Sequence, residues 1–259
     1  MTSLVEQQRE HFNRIADTYY SARQHLNHRT LKDLIWSTFL SDKSSLWTSD
    51  LAVLDAMCGY ADAEALVRKF IRNDIRYSGF DYSDEVVEHV RRDHPEFNVW
   101  QADATAFRPE RGYDLVVLIG GLHHVHREAP RALSNLADAL KPGGHFLSFE
   151  PTHGNPVTAA IRKSVYRRNS LFDAETERGF SVGELFSMFR TAGLEPVDAI
   201  YPGLLSYTLY YNPDAFPGLN VGGPKAVRRI FSLEQPFMRS ALARTLSFAT
   251  LSLWRKPAV

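Results

Sequence analysis

The feature that most constrains this chain is a ten-residue stretch, Val-Leu-Asp-Ala-Met-Cys-Gly-Tyr-Ala-Asp, at positions 53–62. An apolar run from Leu51 to Leu54 ends at Asp55, and Gly59 marks a sharp turn. A helical pattern follows, with Leu66, Val67 and Phe70 on one face. Strand, tight turn and helix in that order predict a nucleotide-binding βα unit. Glycine lets the backbone approach a ligand, and the helix start offers unpaired N–H donors. Asp81 closes the next apolar segment, Tyr-Ser-Gly-Phe at 77–80. An acid about 20 residues beyond such a turn is where a ribose diol is gripped in dinucleotide-binding folds. Neither G-x-G-x-x-G nor G-x-x-x-x-G-K-[ST] is present, so a ribose-bearing ligand without pyrophosphate fits better. One glycine in a βα turn is common in α/β proteins, and other blocks must carry the assignment further.

Those blocks are Val53-Leu-Asp-Ala-Met-Cys-Gly59, Gly79-Phe-Asp-Tyr-Ser83, Gln101-Ala-Asp-Ala104, Tyr113-Asp-Leu-Val-Val-Leu118, Leu122-His-His-Val125 and Leu140-Lys-Pro-Gly-Gly144. In order and spacing they resemble the class I S-adenosylmethionine (SAM)-dependent methyltransferases, most closely the group with an N-terminal helical lid. The resemblance covers roughly residues 10–200. It implies an α/β fold: a Rossmann-like seven-stranded, mostly parallel sheet with the last strand antiparallel and helices on both faces. A helical lid would precede that sheet, and an insertion would precede its last strand. SAM is the implied cofactor. Asp55, Cys58, Gly59, Asp81, Tyr82, Asp103, Ala104 and Gly120 are the implied contacts, with Tyr19, Tyr20 or Arg23 closing over the cofactor from the lid unless that helix is merely docked on the core. The glycine turn departs from the usual D-x-G-x-G-x-G, having Met57 and Ala61 at the outer glycine positions.

The chain divides accordingly into a lid (1–48), a SAM-binding core (49–201), a cap insertion (202–247) and a last strand with its tail (248–259). Residues 5–20 carry Phe12, Ile15, Ala16 and Tyr19 at helical spacing, and a second helix starts near Thr30. Ser83 is placed to cap a helix whose first turn holds Asp84 and Glu85. Residues 114–119 read as a strand covered on both faces. Ser181 and Glu184 form a capping box. Residues 157–168 predict a helix with Val157, Ile161 and Val165 inward, and Arg162, Lys163, Arg167 and Arg168 outward. That basic face would hold an acceptor phosphate or carboxylate, or simply be solvated. Residues 202–245 are too apolar for a linker. Ile230, Phe231, Leu233, Phe237, Met238 and Leu242 lie there among arginines, suiting a flap over the acceptor, a homodimer interface or a membrane-surface patch.

Thirty basic and thirty acidic side chains balance, so nothing global draws the chain to nucleic acid. Cys58 is the only cysteine, which excludes an intramolecular disulfide and a thiolate zinc cluster, and no metal is expected. The polar opening stretch is unlike a signal peptide, and no apolar run reaches membrane-spanning length, so a cytoplasmic protein is expected. His123 and His124, just past a strand end, are the first candidates for a general base, ahead of His126, Glu150 and His153. The expected reaction is methyl transfer to a small, partly apolar acceptor at oxygen or carbon more than at nitrogen. Two alternatives remain open: a SAM-binding enzyme with non-methylating chemistry, and a protein that only binds SAM or a partner.

Overall fold

The computed structural model describes residues 6, 9, 10, 13, 14, 20–47, 49–106, 108, 110, 112–169 and 177–258. Tyr19 and the apolar face drawn through Phe12, Ile15 and Ala16 lie outside the described residues. The apolar runs of the first half become parallel strands β1 (Leu51–Ala56), β2 (Ile75–Asp81), β3 (Asn98–Gln101), β4 (Tyr113–Ile119) and β5 (Leu140–His153). A two-residue strand β6 (Phe180–Ser181) pairs beside the end of β5. Strands β7 (Glu195–Ile200) and β8 (Ala249–Arg255) complete the order β3-β2-β1-β4-β5-β8-β7. β8 runs antiparallel to both neighbours, as expected of the last strand.

Two cores flank the sheet, because strands buried on both faces need cover on both. On one face α1 (Leu26–Leu40) lays Leu31, Ile35 and Phe39 beside α2 (Asp62–Phe70) and α3 (Asp84–Asp93), against Val53, Val117 and Leu251. On the other, α4 (Ala129–Ala139) and α6 (Val182–Thr191) cover Leu54, Val116 and Phe146. Leu133 and Leu136 of α4 are fully buried, each contributing about 1.5–3 kcal/mol over the exposed state. The caps form where side chains allow them. Ser83 Oγ accepts from Val86 N, and Ser181 with Glu184 closes a reciprocal capping box on α6.

Helix α5 (Pro156–Arg168) does not follow the predicted faces. Val157 and Ile161 are exposed, while Arg162 turns inward and donates to the carbonyls of Thr152 and Phe248. Ile161 and Val165 line an open cavity instead of entering the core, Val157 is at the surface, and Arg162 satisfies backbone acceptors where β5 ends and beside the start of β8.

The insertion between β7 and β8 leaves and rejoins the sheet at Gly203. A Cβ there would meet the Ala249 nitrogen at 2.1 Å, so only glycine fits. Helix α7 (Leu205–Tyr210) follows, then α8 (Pro224–Glu234) and α9 (Ala241–Leu246). Glu234 of α8 accepts from the backbone N–H of Ser206 at 3.2 Å and from its hydroxyl, orienting α7 from behind. Val227, Phe231 and Met238 join the core shared with α1, while Leu233, Phe237 and Leu242 are exposed. The flap predicted from all six apolar residues is therefore two things: part of the core, and an outer surface. No helix among the described residues is long and apolar enough to cross a membrane.

Candidate functional site

The carboxyl ends of β1, β2 and β4 open onto a cleft, where ligands bind in open parallel sheets. It is lined by Asp55, Met57, Cys58, Gly59, Tyr60, Asp81, Tyr82 and Gly120, with Tyr20 and Arg23 on the lid side. The turn is wound through three left-handed residues: Met57 at φ 55°, Gly59 at 51° and Ala61 at 60°. Glycine takes that conformation freely, whereas each non-glycine residue in it costs on the order of 1–2 kcal/mol. The outer positions thus keep the glycine geometry without the glycines.

Asp81 is buried and holds two turns at once. Its Oδ2 accepts from Gly59 N at 3.0 Å and its Oδ1 from Ser83 N at 3.0 Å. Burial raises its pKa, and those two N–H donors pull back against it. Asp55 is buried too, and its Oδ2 accepts from the Tyr77 hydroxyl at 2.7 Å. Burial carries its pKa well above the carboxylate range. Burial likewise pushes the Cys58 thiol well up, so it packs as a small apolar side chain and not as a thiolate. Tyr20 packs at a tilt against Tyr60 with ring centroids 4.7 Å apart and lies 5.4 Å from the His89 ring, closing the cleft from the lid side.

Asp103 and Ala104 stand apart from this lining. The Asp103 carboxylate accepts from the backbone and hydroxyl of Thr105, both at 2.8 Å, and the Ala104 carbonyl accepts from Asn135. Tyr19 lies outside the described residues.

A second, wider cavity of about 380 Å³ adjoins the first and shares Arg23, Ile119, Gly120 and His124 with it. One wall is aromatic. Tyr207 and Tyr211 stack at 4.5 Å, and Phe149 meets Tyr211 edge-on at 5.4 Å. The opposite wall comes from α5 through Ile161, Val165 and Tyr166. At the end nearest the cleft sits a polar cluster. Glu150, buried on β5, accepts from Gly121 N at 3.0 Å and Leu122 N at 2.9 Å through Oε1. Its Oε2 lies 3.1 Å from His123 Nδ1. His124 Nδ1 lies 3.4 Å from Glu177 Oε1, and the two imidazoles are 4.0 Å apart.

Environment separates these groups. Burial, with the neighbouring His124 adding to it, holds His123 well below the ordinary imidazole value. Burial also pulls His124 down, but Glu177 outweighs it and leaves that imidazole raised. Burial lifts Glu150 to about 7 against the opposing backbone donors.

Glu177 was not singled out in the sequence, because no periodicity marks it. It is held beside the histidines where the next residue is pinned, Arg178 N donating to the His123 carbonyl at 3.3 Å. Arg23 sits at the junction of the two cavities. It donates to the Tyr211 carbonyl at 3.0 Å and to Asn212 Oδ1 at 3.3 Å. His126 lines neither cavity, and His153, whose imidazole is lowered by partial burial, does not enter them.

Residues 53–144 match a family model described as a methyltransferase domain. Among solved structures, a putative methyltransferase from Haloferax volcanii, in complex with the Trm112 methyltransferase activator, is similar. It is 18% identical, with a TM-score of 0.62 over 96% of this chain and 97% of that one. A putative sarcosine dimethylglycine methyltransferase from Galdieria sulphuraria is 14% identical, with a TM-score of 0.62 over 88% and 86%. The [4+2]-cyclase SpnF is 20% identical, with a TM-score of 0.59 over 86% and 80%.

Proposed function

Since this chain is a class I SAM-dependent methyltransferase, with SAM as its cofactor, we propose that it methylates a small, partly apolar acceptor at an oxygen or an acidic carbon. The observation that carries this reading is the paired cavity. A cofactor cleft with buried acids opens, past Gly120 and His124, into an aromatic chamber whose inner end holds a histidine–carboxylate cluster.

The donor set suits SAM. Asp81 retains lone pairs for the ribose hydroxyls, and the turn offers backbone N–H groups without a phosphate cradle. SAM supplies an already activated methyl group on its sulfonium. What this chain adds is placement in line with the acceptor and relief of the acceptor's proton. Phe149, Tyr207 and Tyr211 hold an apolar body. The His123–His124 pair, backed by Glu150 and Glu177, handles the proton at the end where methyl transfer occurs. Amine acceptors need no such help, which is why oxygen or carbon is preferred over nitrogen. Tyr20 and Arg23 then close the cofactor cleft from the lid side, while α1 belongs to the core, and within residues 202–247 the segment through Phe216 caps the acceptor. We place the protein in the cytoplasm, acting on a small molecule and not on nucleic acid.

The test is calorimetry with SAM and with S-adenosylhomocysteine, followed by a screen of hydroxyl-bearing and C–H-acidic apolar compounds for S-adenosylhomocysteine release. Cofactor binding with no methylated product from any compound class would favour a non-methylating use of the same site. The likeness to a [4+2]-cyclase gives that second reading its specific support.

A further inference from the structure

The geometry points to a metal site: His123, His124 and Glu177 hold one divalent first-row transition ion at the inner end of the acceptor chamber. The three side chains come from two segments about fifty residues apart in sequence, and one ligand atom from each lies within 4.8 Å of the others. Two imidazoles and one carboxylate, with a further position left to the chamber, make the donor set of an open catalytic site, as Zn²⁺ or Fe²⁺ uses it. The His124 Nδ1 to Glu177 Oε1 separation of 3.4 Å already equals the edge of a tetrahedron with bonds of about 2.1 Å.

The surroundings fit an ion as well. Glu150 Oε2 lies 3.1 Å from His123 Nδ1, and with the carboxylate as acceptor the imidazole's lone pair is on Nε2. A carboxylate behind a ligating histidine is the arrangement that orients metal-bound imidazoles. Glu150 is itself fixed by Gly121 N and Leu122 N, so the backing carboxylate cannot swing away. All three ligands border the 380 Å³ chamber, so an acceptor oxygen can reach the remaining position. The sequence hid the site because Glu177 lies far along the chain and no ligand spacing announces it.

The role of the ion, unlike its binding, rests on the methyl-transfer reading. With the ion bound, His123 and His124 are its ligands and no longer take the acceptor's proton themselves; an acceptor hydroxyl bound to the ion loses its proton to water more easily. The oxygen then forms its bond to the methyl carbon as the carbon–sulfur bond breaks. The electron pair of that bond stays on sulfur, giving the neutral thioether.

Cobalt(II) is the probe. The purified chain, stripped with chelator, is titrated with Co²⁺ and followed by visible absorption and calorimetry, with SAM calorimetry run on every variant. The expected result is one Co²⁺ per chain with the intense bands of a low-coordinate site. His124→Ala and Glu177→Gln should lose stoichiometric binding, and Glu150→Gln should weaken it by about 10–100-fold. His126→Ala should leave it intact. Unchanged SAM affinity in the Glu177→Gln and Glu150→Gln variants, which lie outside the cofactor cleft, shows that the fold and the cleft survive. Substoichiometric Co²⁺ in the parent chain, or equal affinity in the His124 and Glu177 variants, overturns the metal site while leaving the methyltransferase reading untouched.

Discussion

The cofactor cleft and the acceptor chamber meet at Gly120 and His124, yet they are built in opposite ways. The cleft takes most of its lining from two βα turns, and its shape comes from local backbone: three left-handed residues and one aspartate that ties the turns together. The chamber draws on β5, α5, Glu177 and the insertion around α7, so its shape comes from side chains brought together over long separations. A site made of backbone tolerates side-chain change except at its few anchoring groups. A site made of distant side chains can be retuned one residue at a time, which is how one fold accommodates many acceptors.

The sharpest way to separate the two halves is at their junction. His124→Ala should lower turnover by about 10²–10⁴, measured as S-adenosylhomocysteine formation with an acceptor from the screen. SAM affinity by calorimetry should stay near the parent value. A comparable fall in SAM affinity would mean that the two cavities are one site, and the comparison would break.

Asp81→Asn tests the cleft from the other side. The amide keeps one acceptor for the turn but removes the charge offered to the ribose. The expected loss in cofactor affinity is about 1.5–3 kcal/mol, the range for hydrogen bonds to a charged group. Because Asp81 also holds Gly59 and Ser83, thermal unfolding must be measured alongside. A fall in melting temperature with unchanged SAM affinity would make Asp81 a structural brace alone.

Tyr207→Ala should act only on the chamber. Removing one ring from the stacked pair costs about 1–3 kcal/mol in kcat/KM, carried mainly by KM, with SAM affinity unaffected. An unchanged KM would put the acceptor elsewhere.

The same contrast explains what could be read from the residues. The sheet was legible because 53–150 alternates uninterrupted apolar strands with amphipathic helices, and burial on two faces leaves that pattern little freedom. Asp81 and Gly59 were legible because their roles are local. Glu177 was not, since its partner is another segment. Helix α5 misled because periodicity identifies an apolar stripe without saying what it faces. Ile161 faces a cavity, and Arg162 pairs with carbonyls that only the tertiary fold supplies. In the second half of the insertion, composition showed an apolar segment, but only packing divides Phe231, in the core, from Leu233, at 76% exposure.

The smallest effect lies behind the chamber, at Glu234. Its carboxylate holds Ser206 and so aims the helix that carries Tyr207. Burial raises its folded-state pKa above the ordinary 4.5, while the bonds from Ser206 oppose the shift. The folded state therefore keeps this proton to higher pH than the unfolded chain does, and unfolding releases it within that window. Stability from this residue is present below pH 4.5 and is lost as pH rises through the folded value. Glu234→Gln removes the titration and keeps an acceptor for Ser206 N. Melting temperature plotted against pH should accordingly fall less steeply above pH 4.5 in the variant than in the parent. At this chain length the difference should stay within roughly 2–4 °C, the equivalent of about 1 kcal/mol. SAM affinity should not follow it at any pH, because Glu234 touches only the acceptor side. A parallel pair of curves would mean that Glu234 is already ionised in the folded protein and that Ser206 satisfies it fully. A steeper fall in the variant would mean that the carboxylate stabilises the cap through its charge, and α7 would then be held by electrostatics more than by packing.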